Sequence, residues 1–141
     1  QYPPEKQKLL DPGLAGVVDM GRRISLMDHL AAVKAREAMG TAMNRFHQTY
    51  DLLLTPTMPI PAFAAGHDFP PEGGDKQWSD WTPFTYPFNL TRQPAISVPC
   101  GLTTAGLPIG LQIVGPLYGD RAVLNAARAF EQGRRFQRPN L

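Results

Sequence analysis

Three serines, one cysteine, three histidines and four lysines are among the side chains that could carry covalent or acid–base chemistry in these 141 residues. A hydrolytic site needs a nucleophile, a group that activates it and donors for the developing oxyanion. Ser25 is better placed to cap a helix, Ser79 sits in a polar loop, and Ser97 lies mid-strand between apolar neighbours. No Gly-x-Ser-x-Gly elbow is present. Cys100, followed by Gly101, could serve as a nucleophile with His29, His47 or His67 as base. Nothing in the sequence pairs them, and a lone cysteine at a strand end reads as a small buried hydrophobe. The histidines are 18 and 20 residues apart, without i,i+4 spacing, so no metal site is expected. No glycine-rich phosphate loop opens a helix, because the Gly-Leu-Pro-Ile-Gly run enters a strand. The residues therefore assign no catalytic group, no metal and no cofactor to this chain.

The elements that would position any site centre on Asn89 to Gly115. Ala95–Val98 and Ile109–Val114 are β-rich runs bounded by prolines and glycines, nearly continuous in apolar side chains as expected of strands buried on both faces. Pro99 to Pro108 reads as a long hairpin connection. Upstream, residues 1 to 10 read as a frayed lead-in. Asp11-Pro12 starts a short helix ending near Gly21. Ser25 and Asp28 resemble a capping box, and Met27, Leu30, Ala31, Val33, Ala35, Ala38, Ala42 and Phe46 give a long amphipathic helix to Tyr50 with a broad buried face. Leu52–Thr55 is a buried strand stopped by Pro56. Residues 57–81 read as a long loop, and Trp78, Trp81, Phe84, Tyr86 and Phe88 form an aromatic cluster suited to core or to a pocket wall. Asp120 would cap a final helix ending at Gly133. The fold class is α/β.

Composition narrows the function classes. Net charge is +2, from 14 basic and 12 acidic residues, which argues against a nucleic-acid binder acting through a basic face. Arg134, Arg135 and Arg138 read as a solvated tail. No apolar run approaches a membrane span, and no secretory-type leader is seen. The single cysteine suits a reducing, cytoplasmic setting. Opening on Gln1 rather than methionine reads as a fragment or a processed product.

Two stretches carry a resemblance. Asn89-Leu90-Thr91, Pro94-Ala95-Ile96-Ser97-Val98-Pro99 and Gly106-Leu107-Pro108-Ile109-Gly110-Leu111-Gln112-Ile113-Val114-Gly115 resemble the C-terminal signature of the amidase signature family of hydrolases. Tyr50-Asp51-Leu52-Leu53-Leu54-Thr55-Pro56-Thr57-Met58-Pro59 is similar to a second late landmark of that family, in the right order. The resemblance implies the C-terminal part of the amidase signature fold, a mixed β-sheet flanked by helices. It implies hydrolysis of a small-molecule carboxylic amide through a Ser–Ser–Lys triad and a serine acyl-enzyme, without metal or organic cofactor. Those catalytic residues lie N-terminal of the landmarks, so the chain alone is expected to be inactive and, with apolar surface uncovered, to self-associate as a homo-oligomer. The segment before Asn89 lies near the substrate cavity in such enzymes, which points to Trp81, Thr82 and Thr85 as substrate-facing side chains. An amidotransferase-type subunit or a non-catalytic interaction module is the alternative. Arg92 departs from the family pattern: glycine is common there, so either a left-handed or crowded turn strains the arginine, or the turn tolerates a side chain whose guanidinium faces solvent or an anionic group.

Overall fold

The computed structural model describes residues 3–72, 74, 80–134 and 138–139, and the chain divides into two compact units, Gln1–Arg36 and Glu37–Leu141. In the first unit the lead-in is not frayed throughout: Pro4–Gln7 forms one helical turn, α1. α2 spans Pro12–Gly21, with the Asp11 carboxylate accepting from the Leu14 backbone N–H at 3.0 Å and proline at the first helical position, as Asp-Pro dictates. α3 spans Leu26–Phe46 and continues into the second unit. The Ser25 hydroxyl accepts from the Asp28 N–H at 3.1 Å and donates to the Asp28 carboxylate at 2.6 Å, so the short aspartate reaches the cap's hydroxyl.

α3 differs from its sequence reading in two ways. It ends at Phe46, four residues early, where the Tyr50 ring folds back to stack on Phe46 at 4.7 Å and the Tyr50 carbonyl accepts from His47 Nδ1 at 3.0 Å. It also has no buried residue; Leu26 and Met27 are each 72% exposed. Asp28, Lys34, Arg36, Glu37 and Arg45 project on all sides of the helix, so its apolar residues form no single face for a partner to cover.

The second unit is built on a three-stranded antiparallel sheet in the order β1-β3-β2. β1 is Leu53–Pro56, β2 is Ala95–Leu102 and β3 is Pro108–Val114. β2 runs four residues beyond its expected end, through Pro99, with a register shift between Pro99 and Gly101 that accommodates it. Pro56 and Pro99 sit on the two outer strands and Pro108 opens the central one, places where a missing N–H costs the ladder little. The hairpin connection is therefore only Thr103 to Leu107, closed by Thr103 N–H donating to the Leu107 carbonyl at 2.8 Å and by Gly106 at φ 82.

Burial on both faces is reached only at the end of β3, where Gln112, Ile113 and Val114 are all buried; elsewhere the strands are covered on one face. One face packs on α5, Asp120–Gly133: Val98, Ile113 and Ala127 form the core, with Leu52, Ile96, Leu111 and Phe130 against it. Removing an aliphatic side chain of this kind from water is worth roughly 1.5–3 kcal/mol. On outer strand β1, Leu54 remains 58% exposed, because the α5 cover does not reach it. α5 is capped by Gly119, not Asp120: the Ala122 and Val123 N–H groups donate to the Gly119 carbonyl at 2.9 and 3.2 Å. Asp120 instead places its charge in the first turn, near the positive end of the helix. Gly115 lets that turn approach the sheet; a Cβ there would stand 2.5 Å from Val123 Cγ2.

Between β1 and β2 the aromatic stretch forms a short helix, α4, Tyr86–Thr91, which lies where no helix was expected. Its last turn is closed by the Thr91 hydroxyl donating to the Pro87 carbonyl at 2.7 Å. Arg92 follows at φ 64, ψ 23, the left-handed conformation that glycine would adopt without strain. Buried Thr91 and Gln93, hydrogen-bonded to each other, hold it there while its own side chain stays exposed.

A candidate substrate-binding cavity

The sheet face turned away from α5 has different chemistry. Thr55, Gln112 and Ser97 lie in one row across β1, β3 and β2, and Thr57 and Gly110 lie one step along it. Gln112, only 5% exposed, donates both hydrogens of its amide: to the Thr55 hydroxyl and to the Phe84 carbonyl, each at 2.9 Å. One buried side chain thereby ties the outer strand and the aromatic segment to the centre of the sheet.

Next to that row opens a cavity of about 750 Å³. Met58, Ile60, Phe63, Trp81, Pro99 and Ile109 supply most of its apolar lining, and Thr57 and Ser97 its polar floor. The two hydroxyls are 2.7 Å apart, and the Thr57 N–H donates to the Gly110 carbonyl at 2.9 Å. Gly110 is required beneath them: a Cβ at this position would lie 2.8 Å from both hydroxyl oxygens. Phe63 meets Trp81 edge to face, with ring centroids 5.0 Å apart. The Trp81 indole N–H donates to the Asp68 carbonyl at 3.3 Å, so its ring serves the cavity as an apolar wall.

Of the three residues singled out in the sequence, Trp81 lines this cavity. Thr82 and Thr85 do not; both are half-buried, and the Thr85 hydroxyl donates to the Thr82 carbonyl at 3.1 Å. Trp78, Ser79 and Arg135 lie outside the described residues. Sequence reasoning missed Thr57 and Ser97. The signal available was the pairing of hydroxyl positions with Gly110 across the sheet, which needs the register. Among the described residues no cluster of His, Cys, Asp and Glu is arranged to hold a metal ion, and no helix is long and apolar enough to cross a membrane.

The amidase family profile matches residues 6–124, most of the chain. This chain belongs to the amidase signature family. It is 40% identical over 112 residues to the A subunit of the Myxococcus xanthus glutamyl-tRNA(Gln) amidotransferase, covering 78% of this chain and 22% of that protein. Its fold is similar to that of a bacterial aryl acylamidase of the same family, with a TM-score of 0.73 and 30% identity over 87% of this chain and 26% of the other. It is also similar to the A subunit of the Thermotoga maritima glutamyl-tRNA(Gln) amidotransferase, with a TM-score of 0.67 and 31% identity over 89% and 28% of the two chains. The chain spans about a fifth of the length of the curated relatives it matches. The α/β arrangement of a sheet with flanking helices is thus part of the amidase signature fold, and the Asn89–Gly115 and Tyr50–Pro59 stretches lie within the matched segment.

Proposed function

We propose that the intact protein cleaves the C–N bond of a carboxylic amide, and that this chain supplies one wall of its substrate pocket. The observation that carries the reading is the open, mainly apolar cavity with a hydroxyl floor on the sheet face opposite α5. A serine nucleophile, a bridging serine and a lysine base would stand outside these residues. The serine oxygen would bond to the amide carbon, the C–N bond would break as the amine takes a proton, and water would then release the acid from the ester. By itself this chain is inactive in the proposal. Its described serines are paired with Asp28 and Thr57, and neither pairing supplies a general base beside an oxyanion site. Ser97 sits in the cavity only as a binding hydroxyl.

Similarity to the A subunits of glutamyl-tRNA(Gln) amidotransferases favours a second reading, in which the protein releases ammonia from an amide as one member of a larger complex. Ammonia release by the full-length protein, assayed with benzamide and with glutamine, separates the two. Turnover of the neutral amide by the protein alone is expected. Turnover of glutamine only, and only with a partner chain present, would transfer the assignment to the second reading. No turnover of either would remove both. The 141-residue chain alone is expected to show no turnover and, with Leu26, Met27 and Leu30 exposed, to self-associate. A monodisperse monomer by light scattering would contradict that.

A further inference from the structure

We propose that the Thr57–Ser97 hydroxyl pair above Gly110 is the polar anchor of the cavity, and that it selects a neutral amide carrying an aryl or branched alkyl group over a charged amino-acid amide. The inference rests on the reading of this cavity as a substrate pocket and adds to it the substrate class and the groups that choose it.

Two hydroxyls 2.7 Å apart share one hydrogen between them. The second hydrogen remains available, together with lone pairs on both oxygens. Among the described residues neither hydroxyl has another side-chain partner. The pair therefore offers one donor and an acceptor at a single point, the complement of a carboxamide's C=O and N–H. The absent Cβ of Gly110 matters here, because a side chain would occupy the space within 2.8 Å of both oxygens.

The rest of the lining sets the class. Thr103, the remaining hydroxyl of the lining, accepts from the Leu107 N–H at 3.0 Å, which fixes its oxygen at the hairpin turn away from the Thr57–Ser97 pair. The Trp81 N–H is committed to Asp68. No Asp, Glu, Lys, Arg or His is among the described lining residues. A ligand bearing an α-ammonium and an α-carboxylate would leave water at this wall without a counter-charge, and an unpaired ion is expensive to desolvate. An aryl or branched alkyl group meets the Phe63–Trp81 edge and the proline and isoleucine surfaces without that cost.

The test is calorimetric titration of the full-length protein with benzamide and, separately, with glutamine. Thr57→Val keeps the shape and removes the hydroxyl, Thr57→Ser keeps the hydroxyl and removes the methyl, and Ser97→Ala removes the second oxygen. The parent protein is expected to bind benzamide more tightly than glutamine. Thr57→Val and Ser97→Ala should each weaken benzamide about tenfold, the size of one neutral hydrogen bond, and Thr57→Ser should stay close to the parent. Unfolding midpoints close to that of the parent show that the variants fold. Three results would overturn the proposal: no benzamide binding, glutamine bound as tightly as benzamide, or hydroxyl-deleted variants that bind like the parent. Because binding is read without turnover, hydroxyl-dependent binding in a protein that hydrolyses no amide would uphold the anchor and remove the hydrolase reading. Hydrolysis of benzamide with binding indifferent to both hydroxyls would do the reverse.

Discussion

The two faces of the three-stranded sheet are cut from the same residues by strand alternation, yet they are built to opposite specifications. Towards α5, Ile96, Val98, Leu111 and Ile113 pack without polar atoms between them. Away from α5, Ser97 and Thr57 above Gly110 form the hydrogen-bonded floor of an open cavity, and beside them Gln112 ties Thr55 of β1 and the Phe84 carbonyl to the sheet. A period of two places adjacent residues on opposite faces, so stability and recognition can be encoded side by side without competing for a position. Between Ile96 and Ile113 a substitution's effect should depend on the parity of its position more than on its distance along the chain, while Val114, fully buried on the cavity-side parity, marks where the division ends.

The sharpest way to break that division is at Ile113, which is 2% exposed on the core face. Ile113→Ala in the full-length protein should cost about 2–5 kcal/mol in denaturant unfolding while leaving ligand affinity of the folded protein unchanged. A large affinity change with little loss of stability would dissolve the contrast. Gly115→Ala forces a methyl against Val123 and should cost about 1–3 kcal/mol, again through the α5 side only. Gln112→Met tests the other face. It leaves the Phe84 carbonyl without its donor, for about 1–2 kcal/mol, and should also weaken ligand binding because the aromatic segment loses its tie to the sheet. If Gln112→Met alters only stability, the tie is structural alone. The smallest effect is expected away from both faces. Arg92→Gly relieves a left-handed backbone and should raise stability by about 0.5–1 kcal/mol; a loss would mean that the arginine side chain makes a contact worth more than the strain.

Much of the scaffold was legible because its signals are local. Asp11-Pro12 and the Ser25–Asp28 pair specify helix starts through atoms three residues apart, and both helices begin where those pairs place them. The apolar runs identified β1, β2 and β3, but the end of β2 was hidden by Pro99, which reads as a breaker until the strand is known to be an outer one with a bulge. The cap of α5 was misplaced by one residue because aspartate has the stronger intrinsic preference, whereas the turn from Pro116 leaves Gly119 at the boundary. α4 was missed since its six residues include a proline and two aromatics and carry no helical period. The site was the least legible part. Ser97 looked like an isolated polar residue among apolar neighbours, and only its registration opposite Gln112, with Thr57 40 residues away just past β1, gives its hydroxyl a partner. At Arg92 the family's usual glycine left two readings open, a strained left-handed or crowded turn or one that tolerates a side chain facing solvent, and the structure combines them: a left-handed backbone with the side chain exposed.

Strand order also fixes a sequence in time. β2 and β3 are joined by five residues, whereas β1 reaches β3 across a chain of more than fifty, and closing the longer loop costs more entropy before any pairing rewards it. The hairpin should therefore form first and the outer strand arrive last. Thr57 travels with that late strand, so the hydroxyl pair and the cavity floor come into being only at the final docking step. Pulse-labelled amide exchange during refolding of the full-length protein would show it: protection on β2 ahead of β1 is expected, and simultaneous protection would refute it. A ligand that needs both hydroxyls would then act as a latch on the last strand, slowing its departure more than that of any other part of the sheet.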